Sequence, residues 1–85
     1  MSYTVEIKPT AQEIIKCLPQ SWQTRMIEQL KALQTNPRPE EAIKQPDFEN
    51  IYRIEENYRL FYQILDEALR IIVVKIDLKW VTDTV

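Results

Sequence analysis

The chain has no histidine and no glycine, and a single cysteine, Cys17, among its 85 residues. Without histidine there is no Ser-His or Cys-His nucleophile pair and no histidine-rich metal site. One cysteine excludes an internal disulfide, and the scattered carboxylates supply no zinc set, so neither a metal nor a cofactor is expected. The longest apolar run, Ile71 to Val74, is far too short to cross a membrane. The start, Met1-Ser2-Tyr3-Thr4, lacks the basic residues and apolar block of a signal peptide. A cytoplasmic protein without a membrane partner is the simplest expectation. An excess of either charge is missing too. Residues 1–49 carry six basic and seven acidic side chains and residues 50–85 carry five and six, for a net charge of −2. Broad, charge-driven binding to nucleic acid is thereby disfavoured, and any basic site must be local.

What remains is an ordinary globular composition, 45% hydrophobic and 28% charged, which suits one domain over residues 1–85 with a modest core. Tyr3 to Lys8 alternates apolar and polar and reads as a half-buried strand ended by Pro9. Thr10-Ala11-Gln12-Glu13 has the form of a capping box, opening a short helix that stops at Pro19. A second helix begins near Ser21, carries Trp22, Met26, Ile27, Leu30 and Leu33 at helical spacing, and closes at Asn36-Pro37. The tight Leu18-Pro19-Gln20 connection predicts an antiparallel helix pair. Residues 36–50 read as a loop with one helical turn around Glu40–Lys44.

Three strands follow: Ile51 to Glu55, Tyr58 to Leu65 and Leu69 to Ile76. The expected fold is therefore α+β: an N-terminal strand, an antiparallel helix hairpin, then a three-stranded antiparallel meander forming one small twisted sheet. With no glycine for positive φ, Asn36, Asn50 and Asn57 are the expected substitutes. Strand parity puts Leu60, Tyr62 and Ile64 on one face and Arg59, Phe61 and Gln63 on the other. Ile71 to Val74 is apolar on both sides and so belongs to an interior strand. If the helices cover the Leu60/Ile64 face, the opposite face presents Arg53, Glu55, Arg59 and Phe61 together.

Tyr52-Arg53-Ile54, the run Tyr58-Arg59-Leu60-Phe61-Tyr62-Gln63-Ile64-Leu65-Asp66-Glu67, and the β-branched stretch ending at Lys75-Ile76 resemble the RelE/ParE superfamily of bacterial toxins. The order of elements, from about Tyr3 to Asp83, is similar as well. The resemblance implies a type II toxin–antitoxin partnership, in which a cognate antitoxin binds the toxin in a heteromeric complex. RelE-like members cleave messenger RNA on the ribosome without a metal: the ribose 2′-hydroxyl attacks the neighbouring phosphate. Such chemistry needs fixed cationic donors around the phosphate and a base for the hydroxyl. By position, the resemblance implies catalytic roles for Arg53, Arg59 and Lys79; Glu55 is a candidate carboxylate base, as in other ribonucleases, or equally an ion-pair partner that neutralises Arg53 or Arg59. Phe61 is a candidate base-stacking platform, as on other RNA-binding sheets, or else a ring set under a loop or against the antitoxin, and Lys75 is a candidate RNA contact.

The sequence also departs from the family pattern. Glu55 stands where RelE-like enzymes can carry a lysine, and Asp77-Leu78 replaces the usual glycine and basic residue. No counterpart exists to the C-terminal tyrosine of many ribonuclease members, and the family is usually basic. A carboxylate near the phosphate site opposes phosphate binding by Coulomb repulsion. Three functions therefore stay open: a RelE-like, ribosome-dependent endoribonuclease that inhibits translation; a ParE-like inhibitor of DNA gyrase; and a toxin-fold protein that only binds its antitoxin.

Overall fold

The computed structural model describes residues 2–78. In chain order these form β1 (Thr4–Ile7), α1 (Pro9–Lys16), α2 (Gln20–Thr35), β2 (Ile43–Lys44), β3 (Ile51–Glu55), β4 (Tyr58–Leu65) and β5 (Arg70–Leu78). The strands make one sheet in the order β1-β5-β4-β3-β2. β3, β4 and β5 are the expected antiparallel meander, and the bounds of β3 and β4 coincide with those read from alternation. The sheet is wider than that meander. β1 runs parallel to β5, with Val5 opposite Ile71, and β2 pairs antiparallel with β3, with Ile43 opposite Arg53. Both edge strands are short, which limits strand addition by other chains.

Several local expectations are corrected. No capping box forms at Thr10–Glu13: the helix starts two residues earlier, with Lys8 as N-cap and Pro9 in the first turn. Proline fixes a helical φ there and gives up an N–H that would have had no partner, which leaves Thr10 inside the helix. Ser21 is likewise inside α2, whose N-cap is Pro19, its carbonyl accepting from the Trp22 and Gln23 amides at 2.9 and 3.0 Å. The helical turn expected at Glu40–Lys44 is a single turn, Ala42 N–H to Pro39 C=O at 3.0 Å, followed by β2. So short a helix is costly to nucleate, whereas Ile43 and Lys44 gain a ladder against β3. Positive φ falls not on an asparagine but on Leu69, at 52°. Two successive turns, Ala68 N–H to Leu65 C=O and Leu69 N–H to Asp66 C=O, force the chain left-handed there, at a cost of about 1 kcal/mol.

The core lies between the helices and one sheet face. Met26, Leu30 and Leu33 of α2, with Ala11 and Leu18, meet Ile54, Tyr58, Leu60, Tyr62, Ile64, Ile71, Val73 and Ile76. Every buried β4 residue is even-numbered, as parity requires. In β5 the parity switches. Phe61 faces Lys75 but Tyr62 faces Val73, so Val74 is the extra residue of a β-bulge. Without it, Lys75 and Asp77 would share the inward face of Ile71 and Val73. With it, Ile76 points inward and both charges turn outward. Burial pushes the Tyr58 phenol up to about 12 and raises that of Tyr62 as well. Both remain donors, Tyr58 to Gln29 Oε1 at 2.7 Å and Tyr62 to the Pro37 carbonyl at 2.8 Å.

A polar clasp closes the sheet end nearest the β4–β5 turn. Arg38 donates to Asp66 through Nη2 at 2.7 Å and Nη1 at 3.2 Å, and through Nε to the Tyr52 hydroxyl at 3.0 Å. Tyr3 donates to Asp66 Oδ1 at 2.6 Å. The Arg38 and Tyr3 hydrogen bonds hold the Asp66 carboxyl down at about 2. A carboxylate whose pKa is depressed by folding stabilises the protein above its unfolded pKa of about 4, and that stabilisation disappears as pH falls through the folded value. Wild type is therefore expected to melt above Asp66→Asn at pH 6, with the difference shrinking between about pH 4 and pH 2. Melting temperature against pH for the two proteins checks this.

Candidate functional site

The sheet face turned away from the helices carries three cross-strand rows. Across β3, β4 and β5 the first is Glu55, Arg59, Asp77; the second, Arg53, Phe61, Lys75; the third, Ile51, Gln63, Ile72. β2 extends the second row with Ile43. Side chains directly opposite on one face have Cβ atoms about 5 Å apart, so each row is a contact series. The face grades from charged at the β3–β4 turn to apolar at the far end.

Helix α2 fixes the charged end from behind. Arg25 Nε donates to Glu56 Oε1 at 3.1 Å in the β3–β4 turn. One helical turn later, Gln29 accepts from Tyr58, whose ring also lies 6.5 Å from that of Trp22. The turn between Glu55 and Arg59 is thus held on both sides. Within the face, Glu55 bridges the two arginines: Oε2 lies 3.1 Å from Arg53 Nε and Oε1 3.8 Å from Arg59 Nε. Arg53 Nε is shielded from solvent, and its approach to Glu55 is an ion pair without hydrogen-bond alignment. Lys75 Nζ sits 3.5 Å from Asp77 Oδ2 and 5.8 Å from the Phe61 ring centroid, a cation–π distance.

Five of the six residues singled out from sequence, Arg53, Glu55, Arg59, Phe61 and Lys75, therefore share one face in adjacent rows. The sixth, Lys79, lies outside the described residues, as does Trp80. The sequence offered Glu55 as an ion-pair partner for Arg53 or Arg59 as well as a base, and the structure pairs it with both. Counting the described charges of these rows, three cations against two anions leave a local excess of one positive charge, despite the chain's net −2. The reading missed Phe48. It stands 59% exposed on the β2–β3 connection and walls an apolar basin with Ile51, Phe61, Val74 and Lys75. A lone aromatic inside Pro46-Asp47-Phe48-Glu49-Asn50 was the available signal. Among the described residues no group of carboxylates and cysteine is arranged to hold a metal ion.

This arrangement, two helices on one face of a mostly antiparallel sheet, is also the fold of solved RelE toxins. RelE from Pyrococcus horikoshii, in its complex with RelB, superposes with a TM-score of 0.84 at 25% identity, over 93% of this chain and 97% of that one. A mutant E. coli RelE in the free state gives 0.81 at 22% identity over 98% and 90%. The RelBE2 toxin–antitoxin complex of Mycobacterium tuberculosis gives 0.78 at 22% identity over 93% and 100%. No curated protein matches the chain. The model of the ParE toxin of type II toxin–antitoxin systems matches residues 5–77. The chain belongs to this family, within the RelE/ParE superfamily of toxins.

Proposed function

We propose that this toxin is a RelE-like, ribosome-dependent endoribonuclease that cuts messenger RNA without a metal and is neutralised by a cognate antitoxin. The observation that carries the reading is Glu55 held between Arg53 and Arg59 on the open face. In this reading Glu55 takes the proton of a ribose 2′-hydroxyl. The 2′-oxygen–phosphorus bond forms while the phosphorus–5′-oxygen bond breaks, leaving a 2′,3′-cyclic phosphate and a 5′-hydroxyl. Arg53 and Arg59 donate to the non-bridging oxygens, where charge accumulates in the transition state. The departing 5′-oxygen takes up a proton from water, and Lys79 is a further cation that the family resemblance offers. Phe61 and Lys75 hold the flanking nucleotide. The ribosome delivers the messenger in single-stranded form, so a surface with little excess charge does not have to capture RNA from solution unaided. An antitoxin partner is supported by the RelE relatives solved with RelB. A ribosomal target also makes the site of action cytoplasmic; no described helix is long and apolar enough to cross a membrane.

Induced expression tests the reading. Growth arrest is expected, with new messenger 5′ ends clustered in translated codons, and co-expression of the partner from the adjoining gene is expected to relieve it. A second reading, inhibition of DNA gyrase, is favoured by the ParE family match. It predicts arrest without new 5′ ends and loss of supercoiling by purified gyrase. No arrest at all, with complex formation intact, would leave an antitoxin-binding role alone.

A further inference from the structure

Phe48 is the most exposed large apolar side chain among the described residues, and its position is fixed rather than loose. Its amide donates to the Gln45 carbonyl at 3.2 Å and its carbonyl accepts from Lys44 Nζ at 3.1 Å. Gln45 N–H in turn bonds the Ile51 carbonyl at 2.9 Å, and the Asn50 carbonyl accepts from Ile64 N–H at 2.9 Å. The loop is thereby sewn to β3 and β4, and it presents the ring over the open face. Between Phe48 and Phe61 lies a basin of about 280 Å³, floored by Ile51 and Val74 and rimmed by Lys75.

Position in the sheet says what such a basin takes. Phe61 stands directly opposite Arg53, and Lys75 directly opposite Phe61. An apolar slot with two aromatic walls therefore adjoins a guanidinium on one side and an ammonium on the other. A nucleotide has that composition: a flat π surface with an anion one sugar away. An apolar peptide side chain would use the basin alone and leave Arg53 and Lys75 in their pairs with Glu55 and Asp77, whereas a nucleotide's phosphate would engage them as well. Resting on the messenger-cleavage reading, we propose that the Phe48–Phe61 basin is a subsite for one unstacked base next to the scissile phosphate. The walls offer no fixed hydrogen-bond donors or acceptors apart from Lys75, so stacking accepts any base, as it does on other single-strand platforms. Lys75 leaves the Phe61 ring as the base enters and turns to the adjoining phosphate.

The test uses the full chain and ribosomes programmed with a messenger whose A-site codon carries 2′-O-methyl groups, which block cleavage. One codon position bears 2-aminopurine, a normal base or no base. Phe48→Ala is expected to weaken binding to the base-bearing codon by on the order of 10-fold and to leave binding to the abasic codon unchanged. Quenching of 2-aminopurine by wild type should be lost in Phe48→Ala and kept in Phe48→Trp, an exposed position where either change leaves the fold intact. Equal affinity of wild type and Phe48→Ala for the base-bearing codon overturns the subsite. So does an equal loss on the abasic codon, or weakened antitoxin binding with ribosome binding unchanged, which would make the basin a protein-docking surface. Arg59→Ala in the same assay separates the two levels. If it abolishes binding while Phe48→Ala does not, the subsite falls and the messenger reading stands; if wild type does not bind programmed ribosomes, both fall.

Discussion

Glu55→Gln is expected to lower messenger cleavage on programmed ribosomes by about 10²–10⁴-fold, the range for a lost general base. Glutamine keeps the shape of the side chain and an acceptor oxygen, but it cannot take the 2′-hydroxyl proton. The companion change, Arg59→Ala, removes a cationic donor from the developing phosphorane and is expected to cost about 10²–10³-fold. The Glu55 contacts are partly exposed ion pairs, so folding stability should change by less than about 1 kcal/mol. The sign of the Glu55 result carries the information. A carboxylate that only neutralised Arg53 and Arg59 would compete with phosphate for them, and its removal would raise both RNA affinity and toxicity. A carboxylate that works as the base cannot be removed without loss. Cleavage rates of the two variants, with growth after induction as the cellular counterpart, distinguish these outcomes. Unchanged cleavage in Arg59→Ala would end the catalytic role given to Arg59, and no cleavage by wild type would end the endoribonuclease reading.

That the face could be assembled from sequence at all follows from strand parity. Arg53, Glu55, Arg59 and Phe61 alternate with Ile54, Leu60 and Tyr62, and a buried alternate set admits only one register. The positions of Lys75 and Asp77 could not be read this way. Simple alternation from Ile71 would send both into the core, and only the bulge at Val74 turns them outward. No glycine or proline marks that bulge, because it arises from fitting two strands rather than from a local propensity. The parallel β1–β5 pair was hidden for a related reason: Thr4 and Arg70 meet through a long-range pairing with no adjoining turn to announce it. The Arg38–Asp66 clasp joins residues from a segment read as loop to a turn 28 positions away. Polar partners at that separation have no period to betray them. Helix starts were misjudged by one or two residues because Pro9 and Pro19 took the terminal positions from Thr10 and Ser21.

The same two-sidedness sets the largest expected stability effect. Leu60 and Phe61 are neighbours on β4, the middle strand, yet Leu60 is fully buried against the helices and Phe61 is half-exposed on the open face. Leu60→Ala deletes core volume from a close-packed layer and is expected to cost about 3–5 kcal/mol. For a chain of this size the total stability is about 5–15 kcal/mol, so the loss is a large fraction of it and should lower the melting temperature by on the order of 10–20 °C. Phe61→Ala gives up only half a side chain's burial, about 1 kcal/mol. Function should respond in the opposite order. At a temperature where both variants are folded, Leu60→Ala should keep wild-type cleavage per folded molecule, whereas Phe61→Ala should lose affinity for the messenger. Thermal melts paired with cleavage of programmed ribosomes test this crossing. If Leu60→Ala proved the weaker enzyme per folded molecule, the rigidity of β4 itself, rather than the side chains it displays, would be what the open face depends on.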